Sequence, residues 1–169
     1  VGAYPCLTTA RGRAVFAMLC MEGLPYRWGG CGPPDGGADC SGAVLWAWSR
    51  AGVEPWASRY PGRIDATAER LWQDLASTPR DQHPLPGDLA FYGQSDGRGI
   101  VNVTHVMMVC RVEPGGQPSV VMGASGGRRG LTGREEAARA GACVKKFVSA
   151  SYRPDLLGYR RMPAAPGEA

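Results

Sequence analysis

The spacing of apolar residues changes along the chain, from a helical period in the first half to a strand period in the second. A helix is predicted over residues 9–22, N-capped by Thr8 or Thr9, because apolar positions recur there at helical spacing (Phe16, Leu19, Cys20 and Gly23). Another helix is predicted near residues 65–76, capped by Asp65 and buried through one face (Ala68, Leu71, Trp72 and Leu75).

Between these two helices lies a loop dense in glycine and proline, from Trp28 to Gly37. This composition predicts no regular structure and allows the backbone to approach another group closely. A further apolar helix is predicted to start at Cys40 and to stop at Gly52, with one buried face (Val44, Ala47, Trp48 and Ala51).

Strands are predicted in the second half of the chain, after the turn at residues 86–88. The predicted strand segments begin at Leu89 and then cover residues 101–112, 119–124, 142–149 and 156–161, with a short helix at residues 134–140. Helices followed by strands predict an α+β fold, with an antiparallel sheet and the helices gathered on one side.

Cys40 falls in the first turn of its helix, directly after the glycine-rich loop. A thiol acts as a nucleophile in its thiolate form, and the free N–H groups and dipole of a helix N-terminus stabilise that anion. Position alone is equally compatible with a buried structural cysteine, so the residue pattern leaves both interpretations open.

A cysteine nucleophile needs a base, and the chain contains two histidines. His83 sits in a polar loop, where a solvated side chain is expected. His105 lies towards the upstream end of a predicted strand, on the same face as Met107 and Val109. From there it can present its ring to a helix across the sheet, although a structural core histidine has the same signature.

The length and charge of the chain limit its domain organisation and its partners. The 169 residues suffice for one well-cored domain, expected over residues 1–162 and followed by a frayed tail at 163–169. The net charge of +4 is spread along the chain apart from two arginine pairs (Arg128–Arg129 and Arg160–Arg161), which argues against nucleic acid as a partner. No apolar run is long enough to insert into a membrane, and no secretory signal is visible.

The six cysteines are irregularly spaced and form no CxxC pair, and two histidines offer little material for a structural zinc site. Cys31, Cys40 and His105 remain as an alternative set of three metal ligands. A disulfide between Cys31 and Cys40 is possible but not required by the pattern.

Four sequence blocks occur in the order and at the intervals of a known family (Tyr26–Gly30, Asp39–Gly42, Leu85–Tyr92 and His105–Val106). Together they resemble the NlpC family of papain-like cysteine peptidases, over about residues 9–125. The resemblance implies a papain-like fold with Cys40 as nucleophile, His105 as base, and no metal or cofactor.

Members of this family hydrolyse amide bonds in the stem peptides of bacterial peptidoglycan, often between D-glutamate and a diamino acid. By resemblance, Tyr26, Asp39 and Ser41 line the subsite for the free amino end of the stem. A carboxylate and two hydroxyls suit an ammonium group. Asp39 can also act as the helix N-cap, and Tyr26 and Trp28 can equally be packing aromatics beneath the loop.

The chain departs from the family pattern at the third catalytic position. The family usually places a polar residue there, often His, which orients the catalytic base, but this chain has Gly123. Ser125 falls on the same face two residues later and is the candidate substitute. A backbone carbonyl or a water molecule could also hold the imidazole.

Three functions therefore compete. The first is an endopeptidase that acts on the cell wall outside the cytoplasm, carried by a phage tail or a related injection particle. The second is a papain-like amidase that cuts between the sugar-linked lactyl group and alanine. The third, motivated by Gly123, is a catalytically degenerate module kept for assembly or wall binding.

Overall fold

The computed structural model describes residues 5–53, 66–77, 83–99 and 101–163. Within them, the α-helices are α1 (Ala10–Leu19), α2 (Cys40–Arg50), α3 (Ala68–Asp74) and α4 (Arg134–Arg139). The strands are β1 (Cys31–Gly32), β2 (Gly37–Ala38), β3 (Ala76–Ser77), β4 (Leu89–Ser95), β5 (Val101–Val112), β6 (Pro118–Ser125), β7 (Cys143–Phe147) and β8 (Leu156–Arg161). Short 3₁₀ helices cover Pro33–Asp35 and Ala150–Tyr152.

The main sheet of the described chain has six antiparallel strands in the order β3-β8-β4-β5-β6-β7. One face carries the larger core cluster, to which all four α-helices contribute buried side chains (among them Met18, Trp48, Leu71 and Ala137). The opposite face carries a smaller cluster around Tyr92, Met107 and Val109. The predicted α+β fold, with an antiparallel sheet and its helices on one side, is confirmed.

The turn before β4 ties the helices to the sheet through a fully buried carboxylate. Asp88 lies 2.7 Å from the Arg11 guanidinium of α1 and 3.2 Å from that of Arg161 in β8. Trp48 of α2 donates its indole N–H to the Gly87 carbonyl at 3.1 Å. Since a Cβ on residue 87 would lie 2.9 Å from the Trp48 ring, glycine is needed for this contact. Two helices and two strands therefore meet at one turn.

Some local predictions were wrong. The helix α1 is N-capped by Thr9, as predicted, but Phe16 is 53% exposed and Cys20 is exposed too, so its apolar face was misassigned. The buried side is formed by other residues (Ala10, Gly12, Ala14, Val15 and Met18). Phe16 is two residues from Ala14 and from Met18, about 200° around the helix from each.

The glycine-rich loop is more regular than predicted, because β1 and β2 form a short antiparallel hairpin around the first 3₁₀ helix. The helix predicted near residues 65–76 is observed as α3 with Thr67 as its N-cap. The predicted cap, Asp65, lies outside the described residues, as do residues 164–169 of the predicted tail. None of the helices within the described ranges is both long and apolar enough to cross a bilayer.

Candidate active site

The first turn of α2 is held by Asp39. One carboxylate oxygen caps the helix by accepting the Gly42 N–H at 2.8 Å and also accepts the Ser41 hydroxyl at 3.0 Å. The other oxygen accepts the Gly29 N–H at 3.0 Å, which ties the glycine-rich loop to the helix. The N-cap role that the sequence allowed for Asp39 is therefore present, and Cys40 is the first residue of the helix.

The Cys40 thiol lies among three backbone N–H groups, those of Cys40, Ser41 and Val106, which favour its anion. Burial opposes them and raises the pKa of Cys40 to about 11, and the negative charge of Asp39 acts in the same direction. Desolvation therefore outweighs the helix N-terminus in this resting state. At neutral pH the sulfur is held as the thiol.

His105 lies within β5, opposite Tyr92 of β4, with the two ring centroids 5.8 Å apart. The residue is only 7% exposed. Burial lowers the pKa of His105 to about 4, with a further lowering by Arg153 that Asp155 opposes. The imidazole is therefore neutral at neutral pH and able to accept a proton. Its Nε2 atom has no hydrogen-bond partner within the described part of the chain.

Cys40 and His105 line the same cavity, which has a volume of about 280 Å³. The Sγ atom of Cys40 is close to the N–H of Val106, the residue that follows His105, so the helix start sits directly over this part of β5. Tyr26 and Ser125 also line the cavity. The side chain of His83 instead packs at Gly116 in the turn between β5 and β6, and is not among the cavity-lining residues.

Tyr26 is both a packing residue and a cavity-lining residue. It is buried, and a Cβ on Gly127 would lie 2.2 Å from its ring, so the loop after β6 rests on the ring. Burial raises the pKa of Tyr26. Negative charge on the nearby Asp39 carboxylate, or on Cys40 when it is ionised, acts in the same direction. Trp28, in contrast, is 44% exposed at the cavity and is not buried beneath the loop.

Gly123 lies on β6, beside the side chain of Met107. A Cβ on residue 123 would lie 2.9 Å from the sulfur of Met107. Ser125 is the last residue of β6 and lines the cavity, but it makes no hydrogen bond to His105 within the described ranges. Its role in orienting the imidazole stays a prediction.

A charged pair that was not predicted from the sequence approaches His105 from the segment before β8. Arg153 donates two hydrogen bonds to Asp155, at 2.9 and 2.5 Å, and lies over the Tyr92 ring, 5.4 Å from its centroid. Arg153 also lines the cavity. No motif marks these two residues, because their proximity to the site depends on the pairing of β8 with β4.

Within the described residues, no group of three or more His, Cys, Asp or Glu side chains is placed to hold a metal ion. Cys31, Cys40 and His105 therefore do not form the three-ligand set considered from the sequence. The six cysteines all lie within the described residues, and none of them forms a disulfide.

The chain belongs to the NlpC/P60 family, whose family model matches residues 23–127, more than half of its length. A probable endopeptidase of Mycobacterium tuberculosis is 51% identical over 43 residues, which are 25% of this chain and 11% of that protein. The bifunctional muramidase/DL-endopeptidase CwlT of Bacillus subtilis is 33% identical over 89 residues, 50% of this chain and 23% of CwlT. The chain thus spans less than a quarter of these curated relatives.

Solved structures share the fold. NlpC1 of Trichomonas vaginalis superposes with a TM-score of 0.63 at 22% identity, covering 91% of this chain and 44% of NlpC1. RipD of Mycobacterium tuberculosis, described as a non-catalytic NlpC/p60 domain protein adapted to peptidoglycan binding, superposes with a TM-score of 0.56 at 16% identity. That match covers 91% of this chain and 98% of RipD. At these identities the likeness establishes the fold alone.

Proposed function

We propose that this chain is a peptidoglycan hydrolase, a cysteine endopeptidase that cleaves an amide bond within the stem peptide. The observation that carries the proposal is the shared cavity of Cys40, at a helix N-terminus, and His105, a neutral imidazole. Membership of the NlpC/P60 family and the names of the endopeptidase relatives support it.

In the proposed mechanism, the Cys40 sulfur attacks the carbonyl carbon of the scissile amide while its proton passes to His105. Both groups are neutral at rest, so proton transfer accompanies attack and no ion pair is formed beforehand. His105 then gives the proton to the leaving amine, which leaves a thioester on Cys40. Water, deprotonated by His105, hydrolyses the thioester and regenerates the thiol.

The backbone at the start of α2 supplies the electrostatic part of this mechanism. The N–H of Cys40 lies at the positive end of the helix and is proposed to stabilise the oxyanion that develops on the attacked carbonyl. A glycine two residues later allows the loop to pack there, since a Cβ on Gly42 would lie 2.0 Å from the Gly30 carbonyl oxygen.

The proposed bond lies between D-glutamate and a diamino acid, which agrees with the DL-endopeptidase activity named for CwlT. Tyr26, Asp39 and Ser41 are proposed to receive the free amino end of the stem. The three backbone and hydroxyl donors already bound to Asp39 are neutral, so its negative charge remains available to attract an ammonium group.

We propose that the chain acts outside the cytoplasm, because its proposed substrate is the cell wall. Delivery by a phage tail or an injection particle is a separate hypothesis. Purified particles from the producing cell should contain the chain if that hypothesis holds, and its absence from them would argue for another route.

A non-catalytic wall-binding module is the second candidate. Two observations favour it: Gly123 provides no side chain to orient His105, and burial holds the Cys40 thiol in its less reactive form. RipD, which has the same fold, is described as non-catalytic.

Digestion of purified sacculi, followed by mass analysis of the released fragments, tests these functions. Wild type, Cys40→Ala and the control His83→Ala are compared, because His83 does not line the cavity. The endopeptidase predicts fragments cut within the stem by wild type and His83→Ala but not by Cys40→Ala. Whole stem peptides would indicate the amidase. Sedimentation with sacculi and no release from several wall types would indicate the binding module.

A further inference from the structure

Arginines line part of the cavity of Cys40 and His105. Among its described lining residues the charged side chains are Arg128, Arg129 and Arg153, and none is a carboxylate. A cavity lined by one sign of charge attracts ligands of the opposite sign. This lining therefore favours an anionic group next to the reacting bond.

The three arginines differ in what already neutralises them. Arg153 is bound by Asp155 through two hydrogen bonds, and Arg128 is 2.5 Å from Glu136. Arg129 is exposed and makes no ion pair or hydrogen bond to the described parts of the chain. Among the three cavity-lining arginines, Arg129 is consequently the one whose guanidinium can bind an anionic ligand without giving up an ion pair.

The loop that carries Arg129 is anchored on both sides. Leu131 N–H donates to the Arg128 carbonyl at 3.1 Å, and Gly130 has a φ of 79°, as in the third position of a type II turn. Leu131 is only 2% exposed, and its carbonyl accepts the Trp28 N–H at 2.6 Å. On the other side Gly127 rests on the Tyr26 ring. The backbone of Arg129 is thus fixed beside two cavity-lining aromatics, which lowers the entropic cost of using its side chain.

We propose that Arg129 is a specificity-determining residue that binds a free carboxylate next to the scissile amide and so selects acidic stem peptides over amidated ones. The inference rests on the proposed endopeptidase function. Either residue beside that bond can supply the group: the glutamyl residue, if its carboxylate is not a carboxamide, or a diamino acid that carries an additional carboxylate, such as diaminopimelate instead of lysine.

Four synthetic stem peptides test this proposal, combining glutamate or its carboxamide with diaminopimelate or lysine. Wild type should prefer the peptide with the bound carboxylate over the matching peptide without it. We expect this preference to be roughly 10-fold or more in kcat/KM, as for the loss of a hydrogen bond between charged groups. Arg129→Gln should reduce that preference to about 1-fold, because it lowers kcat/KM for the carboxylate peptides more than for the fully amidated lysine peptide. Arg134→Gln, an exposed arginine outside the cavity lining, is the matched control and should retain the preference. The position at which the preference disappears identifies which carboxylate Arg129 binds.

Equal loss on all four peptides, or an unchanged preference in Arg129→Gln, would overturn the assignment. Calorimetric binding to Cys40→Ala, with and without Arg129→Gln, separates this inference from the proposed function. Carboxylate-selective binding that depends on Arg129 supports the inference even if wild type hydrolyses nothing. Binding without that selectivity, or no binding of any peptide, refutes it.

Discussion

Met107 fills the space beside Gly123, since a Cβ atom on residue 123 would lie 2.9 Å from the Met107 sulfur. The two residues lie on adjacent strands, β5 and β6, and Met107 is fully buried in the smaller core cluster. A larger residue at position 123 therefore requires the Met107 side chain to shift. Apolar packing thus occupies the space beside residue 123, the position to which the family resemblance assigns a polar third residue.

This contact predicts the outcome of placing a histidine at position 123. Gly123→His alone should be destabilised by about 1–3 kcal/mol, because it overpacks a filled site. Met107→Ala combined with Gly123→His should regain part of that stability and raise kcat/KM above wild type, because the new imidazole can orient His105. Urea unfolding and hydrolysis assays of the three variants check this. A double variant that is no more stable than Gly123→His would show that Met107 is not the obstacle.

The raised pKa of Cys40 predicts an unusual pH profile for alkylation. With the pKa at about 11, the thiolate fraction at pH 7 is lower than that of an ordinary cysteine. The alkylation rate should therefore rise about tenfold per pH unit from pH 7 to about pH 10, without the plateau of a free thiol near its own pKa. Mass spectrometry of the Cys40 peptide separates this signal from the exposed Cys6 and Cys20. A plateau below pH 8 would mean that the thiolate is activated at rest.

His105 should make the fold sensitive to mild acid. Its pKa falls from about 6.5 in the unfolded chain to about 4 in the folded one, so the unfolded state binds more protons between these values. Its neutral form contributes stability that is fully present above about pH 6.5 and is lost as the pH falls towards 4. The loss is on the order of 3 kcal/mol. Urea unfolding of wild type and His105→Gln at several pH values from 7 to 4 measures this loss. If the free energy of unfolding falls equally with pH in both proteins, the lowered pKa of His105 is contradicted.

Tyr26→Phe separates packing from substrate binding at Tyr26. The ring that supports Gly127 is kept, so the free energy of unfolding should change by less than about 1 kcal/mol. If the hydroxyl receives the amino end of the stem, KM should rise roughly 10-fold for a free amino peptide, as expected for a hydrogen bond to a charged group. The N-acetylated form of the same peptide is the control. An equal effect on both peptides would assign Tyr26 to packing alone.

Asp88→Asn tests the buried junction between the helices and the sheet. Removing the carboxylate leaves Arg11 and Arg161 partly buried without their anion, so we expect a loss of about 3 kcal/mol in urea unfolding. The control is Glu22→Gln, which removes a half-exposed ion pair with Lys146 and should cost less than about 1 kcal/mol. Similar costs for the two variants would show that Asp88 does not organise this junction.

Local sequence signals determined the elements that position the two candidate catalytic residues. Asp39 was a possible N-cap and Cys40 a helix start, and both are observed, because capping depends on neighbouring residues. The strand predicted at residues 101–112 is observed with those bounds, since a long run of β-branched and apolar residues favours one conformation. The strand pattern and the family resemblance together favoured His105 over His83, and His105 lines the cavity with Cys40.

Tertiary packing decided what local patterns leave open. The sequence of α1 offers apolar residues on more than one side, and only packing against α2 and the sheet made Phe16 the exposed one. Two-residue strands such as β1 are too short for a periodic signal and exist because a partner strand binds them. Burial set the pKa of Cys40, strand pairing placed the Met107 sulfur against Gly123, and the pairing of β8 with β4 brought Arg153 to the cavity. Each depends on atoms distant in sequence. The sequence by itself therefore proposed the two candidate catalytic residues, whereas the fold determined their protonation state and surroundings.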